Sequence, residues 1–151
     1  MDIIEKQQFS IYYWLKSIVP SVPLNPTAVT NEFPDENLAL PTVSIININV
    51  GGKPFELGGC ELDRAFWRID VFAQDIGTRN HLAYLVYNAL KSPTVPVYDY
   101  DEGFPPTDSP SELGHLIVTS RLLNHVHVFE QLVEKLYWRT SITFYTYYET
   151  S

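Results

Sequence analysis

Arg64-Ala65-Phe66-Trp67-Arg68-Ile69-Asp70-Val71-Phe72-Ala73-Gln74 puts Trp67, Ile69, Val71 and Ala73 on one side of an extended chain and Phe66, Arg68, Asp70 and Phe72 on the other. Side chains alternate with a period of two along a strand, so both sides of this one carry rings. That pattern predicts a strand in the middle of a sheet. Directly after it, residues 75–91 place Ile76, Leu82, Leu85, Val86, Ala89 and Leu90 on one helical face, with Asp75 or Thr78 as the cap and Pro93 and Pro96 beyond the end.

Working outward towards the N-terminus, residues 42–50 alternate Ile46, Ile48 and Val50 with Asn47 and Asn49, which reads as a β-branched strand. Gly51-Gly52-Lys53-Pro54 and Gly58-Gly59 are turn signals. Residues 20–41 hold five prolines, Pro20, Pro23, Pro26, Pro34 and Pro41, and read as an extended connector. Residues 2–19 contain neither Gly nor Pro, and Ile4, Gln8, Ile11, Leu15 and Ile18 recur every three or four positions, with Tyr12 and Trp14 widening the stripe. This is an amphipathic helix, with Asp2 and Glu5 at the positive end of its dipole.

Towards the C-terminus, residues 95–98 suit a short edge segment, the place where a sheet tolerates Pro96. Residues 99–114 form a loop rich in Asp, Glu and Pro, and residues 115–123 and 137–148 read as strands. Between them, Val128, Leu132 and Leu136 leave a short helix and a strand extension both open. The order helix, strand, strand, helix, strand, strand gives an α+β domain: a mostly antiparallel twisted sheet of four to five strands, with two principal helices packed on one face. Residues 1–151 make a single domain, composed of helix 2–19, connector 20–41 and a sheet-and-helix body over 42–148.

Composition narrows the function classes. A net charge of −8 argues against coating a phosphate backbone. Cys60 is the single cysteine and cannot form an internal bridge. Apolar runs such as residues 83–87 are far shorter than a bilayer span, and the acidic N-terminus lacks a signal-peptide pattern, so a soluble, unexported protein is expected. The 10 Tyr, 8 Phe and 3 Trp are more rings than a core of this size readily absorbs.

Few constellations carry chemistry. His125-Val126-His127 would set two imidazoles on one strand face, with His115 as a third ligand candidate. Together with the acidic loop 99–112 they define the alternative to a structural role, a metal- or small-ligand-binding domain or enzyme. Asp99 and Asp101 resemble the start of a calcium loop, but Pro110 occupies the place of its terminal glutamate. Cys60 lies beside Glu61 and Asp63, which would raise its thiol pKa, and Glu56, Glu61 and Asp63 suit pairing with Arg64 and Arg68. GxSxG, GxxxxGK[ST], HExxH and GxGxxG are all absent, so neither catalysis nor a cofactor is expected. The last strand is more telling, with Tyr137, Tyr145 and Tyr147 on one face and Trp138, Ile142, Phe144 and Tyr148 on the other. Either both faces are buried within the domain, or one is an interface, where Tyr and Trp contribute area at low entropic cost.

Leu40-Pro-Thr-Val-Ser-Ile-Ile through Gly51-Gly52, then Phe55-Glu-Leu-Gly-Gly59, then the strand 64–73 running straight into a helix, resembles tailed-bacteriophage neck proteins. The pattern is similar to the tail terminator or tail-completion family and to related head-to-tail joining proteins. It covers residues 40–92 in residue pattern and 1–148 in order of elements, and transfers no individual functional residue. The proline-rich connector and the acidic loop depart from it, leaving the terminator and an adjacent neck component both open. The resemblance implies a virion protein assembled in the host cytoplasm: a ring, usually a hexamer, that caps the tail tube and joins it to the head connector, without catalysis. DNA would pass through such an acidic ring without sticking, and no membrane is involved. The candidate contact residues are Trp138, Tyr145 and Tyr147 on the last strand, Phe55 and Leu57 in the glycine-bounded loop, and Phe33 in the connector.

Overall fold

The computed structural model describes residues 2–19, 28–30, 41–54, 61–91, 94–103, 106, 108–127 and 138–150. Helix α1 (Ile3–Ile18) begins where the Asp2 carboxylate accepts a hydrogen bond from the Glu5 amide at 2.8 Å, and α2 (Ile76–Ala89) begins in the same way, with the Asp75 carboxylate accepting from the Thr78 amide. Each cap satisfies one of the amides that the first helical turn leaves without a partner. The strands are β1 (Ala28–Thr30), β2 (Thr42–Pro54), β3 (Glu61–Ala73), β4 (Thr94–Tyr98), β5 (Glu112–His127) and β6 (Trp138–Thr150).

The strands form one sheet in the order β1-β2-β3-β6-β5-β4, with β3 and β6 in its centre. Five strands pair antiparallel, and the short β1 adds to the edge of β2 in parallel. The domain is therefore α+β, as the pattern of elements predicts. Both helices pack on one face, α1 across β4 and β2 and α2 across β6 and β3. Ile11, Leu15, Leu82 and Val86 from the helices meet Val43, Ile45, Trp67, Ile69, Ile142 and Phe144 from the strands in one core. Full burial of each large apolar side chain contributes about 2 kcal/mol. The Trp67 indole N–H, which would be costly to bury alone, donates to Thr146 Oγ1 at 2.8 Å. Ser10 pins α1 to the sheet by accepting from the Tyr98 amide at 3.1 Å.

Three expectations need revision. Gly51-Gly52-Lys53-Pro54 is not a turn: Gly51 pairs with Arg64 and Pro54 with Glu61, so the β2–β3 hairpin runs longer than its glycines suggest. Without side-chain demands these glycines accept extended backbone, and Pro54 falls at the strand end, where its missing N–H costs little. Residues 28–30 leave the connector to pair with residues 42–44, a strand too short to show periodicity. Ile76, read as part of the apolar face of α2, is 51% exposed in the first turn, beyond the reach of the sheet. The open choice over residues 124–136 resolves as strand through His127; residues 128–137 lie outside the described residues.

Candidate functional site

With both helices on one face, interest moves to the other, which register populates residue by residue. Along β3 it carries Arg64, Phe66, Arg68, Asp70 and Phe72, and the paired positions of β6 are Tyr147, Tyr145, Thr143, Ser141 and Arg139. At one end this face is closed and polar. Asp70 is fully buried; its carboxylate accepts from Arg139 Nη2 at 2.9 Å, Arg139 Nε at 3.1 Å, Ser141 Oγ at 2.5 Å and Arg68 Nε at 2.9 Å. Two cations and a hydroxyl thus compensate one buried anion, and the Arg139 guanidinium also lies over the fully buried Phe72 ring.

At the other end the same face opens. Phe66 and Tyr145 stack with ring centroids 4.6 Å apart, and the Arg64 guanidinium lies 4.1 Å above the Tyr145 ring. Arg64, Phe66, Tyr145 and Tyr147 are all only partly buried. Leu122 of β5, which pairs with Thr143 on this face, is 57% exposed. An aromatic and arginine ladder held flat by a central sheet has the composition that interface cores favour.

Of the residues singled out in the sequence, Tyr145 and Tyr147 belong to this ladder. Trp138 lies on the opposite, helix-covered face, with the buried Arg79 guanidinium 5.4 Å from its ring centroid. Phe33, Phe55 and Leu57 lie outside the described residues. Arg64 and Phe66 complete the ladder; their alternation in the 64–74 strand holds that information, although the neighbouring acids in the sequence favour Arg64 as an ion-pair partner.

The histidines do not converge. A bulge between Val118 and Ser120 shifts the β5 register, so His115 pairs with Glu149 on the ladder face while His125 pairs with Thr140 on the helix face. His115 Nε2 is 3.0 Å from Glu149 Oε2, and His125 Nδ1 is 2.7 Å from Thr140 Oγ1. Partial burial, with Arg79 nearby, pushes the His125 pKa below its ordinary value. The side chain of His127 lies outside the described residues. Among the described residues no group of three His, Cys, Asp or Glu side chains could hold a metal ion, and no helix is long and apolar enough to cross a membrane.

The acidic loop, by contrast, is organised. Lys6 of α1 reaches Asp99 at 3.1 Å and Asp101 at 3.0 Å. Hydrogen bonds that its ammonium donates to Asp101 and then Asp99 hold the Lys6 pKa above its ordinary value. The Asp101 amide, and then Lys6, hold the Asp99 carboxyl below its own. Beside the clamp, Tyr13 and Tyr100 stack at 5.9 Å. Two adjoining cavities, about 290 Å³ and about 700 Å³, share Pro106, Asp108, Ser109 and Pro110, one lined by carboxylates and the other by Tyr13, Tyr98 and Tyr100.

Fold and surface together define an α+β sheet domain with a partly exposed aromatic and arginine face and an acidic, tyrosine-lined groove. No protein-family model matches the chain, and no curated protein matches it. Among solved structures it is similar to a chain of the "Virion of native gene transfer agent (GTA) particle", at 17% identity and a TM-score of 0.47, over 96% of this chain and 90% of that one. A likeness at this level assigns neither function nor partners.

Proposed function

We propose that the chain is a structural assembly protein of a phage neck, acting without catalysis as a ring that terminates the tail tube and joins it to the head connector. The observation that carries this reading is the partly exposed ladder of Arg64, Phe66, Tyr145 and Tyr147, built on the two central strands and facing away from both helices. Such a surface serves association, because two stacked rings and a guanidinium offer area that is already ordered before contact. The neck-protein pattern over residues 40–92 supports the same reading from the sequence side. A metal-dependent alternative is less well supported, since His115 and His125 face opposite sides of the sheet.

Size-exclusion chromatography with light scattering tests the proposal. The full chain should run as a ring of several subunits, or as a monomer that assembles once tail tubes are added, and Phe66→Ala/Tyr145→Ala should weaken either form. A chain that stays monomeric and joins no virion component would overturn it.

A further inference from the structure

The ladder needs a counterpart, and the chain carries one on a different surface. We infer that the groove between α1 and the loop following β4 receives Arg64 and the Phe66 and Tyr145 rings of a second copy, so that subunits join head to tail. The inference rests on the ring reading and adds to it the identity of the two mating surfaces. Its first support is charge. The groove is rimmed by four carboxylates, Asp99, Asp101, Glu102 and Asp108, and Lys6 supplies one ammonium, leaving 4 − 1 = 3 negative charges. Glu102 and Asp108 are exposed and form no ion pair among the described residues. On the ladder, Arg68 and Arg139 are spent on Asp70, but Arg64 meets no carboxylate among the described residues. Among the described residues of the ladder, Arg64 is thus the guanidinium without a carboxylate, and an acidic groove would match it.

The second support is the lining. Tyr13 and Tyr98, both partly buried, line the groove beside the carboxylates, with the buried Tyr100 ring behind them, and a guanidinium is stabilised by rings and carboxylates together. The Lys6 clamp shows the carboxylate end already holding a cation. The cavity of about 700 Å³ matches pockets that take a drug-sized molecule, which is more room than one side chain needs. The third support is placement. The groove lies at the β4 edge beside α1, while the ladder lies on the opposite face of β3 and β6. Two different surfaces on one subunit make a heterologous contact, the kind that closes into a ring when its rotation permits.

Charge reversal tests this with the full chain, alone or with tail tubes if these are needed for assembly. Glu102→Lys/Asp108→Lys and Arg64→Glu are placed at exposed or partly exposed positions, and thermal melting establishes that each variant is folded. Each variant alone should raise the concentration needed for half-assembly by about tenfold or more. An equimolar mixture of the two should recover assembly, because each groove then meets a ladder of opposite sign. If the wild type forms rings and either variant assembles equally well, or the mixture fails to recover, the inference is overturned while the ring reading stands. Recovery by an unrelated basic protein in place of the Arg64-bearing partner would likewise overturn it. A wild type that never assembles removes both.

Discussion

Replacing Asp70 by alanine should cost about 3 kcal/mol of folding stability. Its carboxylate is fully buried and takes hydrogen bonds from Arg68, Arg139 and Ser141, so removal strands two guanidinium groups on a sheet face. Losing one partner of a fully buried pair typically costs about 3–5 kcal/mol. The lower end applies because the Arg139 and Arg68 side chains keep 19% and 29% exposure and can partly rehydrate. In a domain of this length each kcal/mol moves the melting temperature by about 2–4 °C, so the midpoint should fall by about 6–12 °C. Total stabilities run to about 5–15 kcal/mol, so the variant should still fold at low temperature. Urea and thermal denaturation followed by circular dichroism give the number. Combining it with Arg139→Ala should show a coupling of about 1.5–3 kcal/mol. A loss below about 1 kcal/mol, with no coupling, would refute the claim that this network is a buried compensated charge.

Further perturbations test other parts of the fold. Thr146→Val leaves the buried Trp67 indole N–H without its acceptor and should cost about 1–3 kcal/mol in urea titrations. A Cβ added at Gly114 meets the Glu149 carbonyl oxygen across the β5–β6 pair, so Gly114→Ala should cost about 1–3 kcal/mol and speed amide exchange in the last residues of β6. Acid should also destabilise: Asp75 is held below its ordinary 3.8 chiefly by the Thr78 amide. A carboxyl depressed in the folded state contributes stability that is complete above its unfolded pKa and lost as pH falls through the folded one. Asp75→Asn should therefore flatten the decline of melting temperature below about pH 4. Lys6 has the opposite sign, its contribution being complete below its ordinary 10.5 and lost as pH rises through the raised folded value.

The central strand was legible because its alternation is strict: Trp67, Ile69 and Val71 face the helices and Phe66, Arg68 and Asp70 do not, as residues 64–74 alone require. Of the two caps the sequence offers for α2, Asp75 is the one that accepts from the Thr78 amide, while Asp2, read only as a charge at the positive end of α1, also caps it. Long-range features were not legible. The β5 bulge reverses which side odd-numbered residues take, and no spacing between His115 and His125 reveals that a residue is inserted. The pairing of Phe66 with Tyr145 depends on register between strands far apart in sequence, so the ladder emerged only as separate rings. Trp138 shows the limit in the other direction, since its ring is set on the helix face by alternation and then covered by Arg79, which only packing could supply. The clamp on the acidic loop was not legible either, because nothing local joins Lys6 to Asp99 and Asp101.

The most direct test of the account is a cryo-electron microscopy reconstruction of the purified full chain, with tail tubes present if it is otherwise monomeric. A closed cyclic ring is expected, in which Arg64, Phe66, Tyr145 and Tyr147 lie at the boundary between neighbouring subunits. A monomer under both conditions, or a ring with that face turned to solvent, would contradict it.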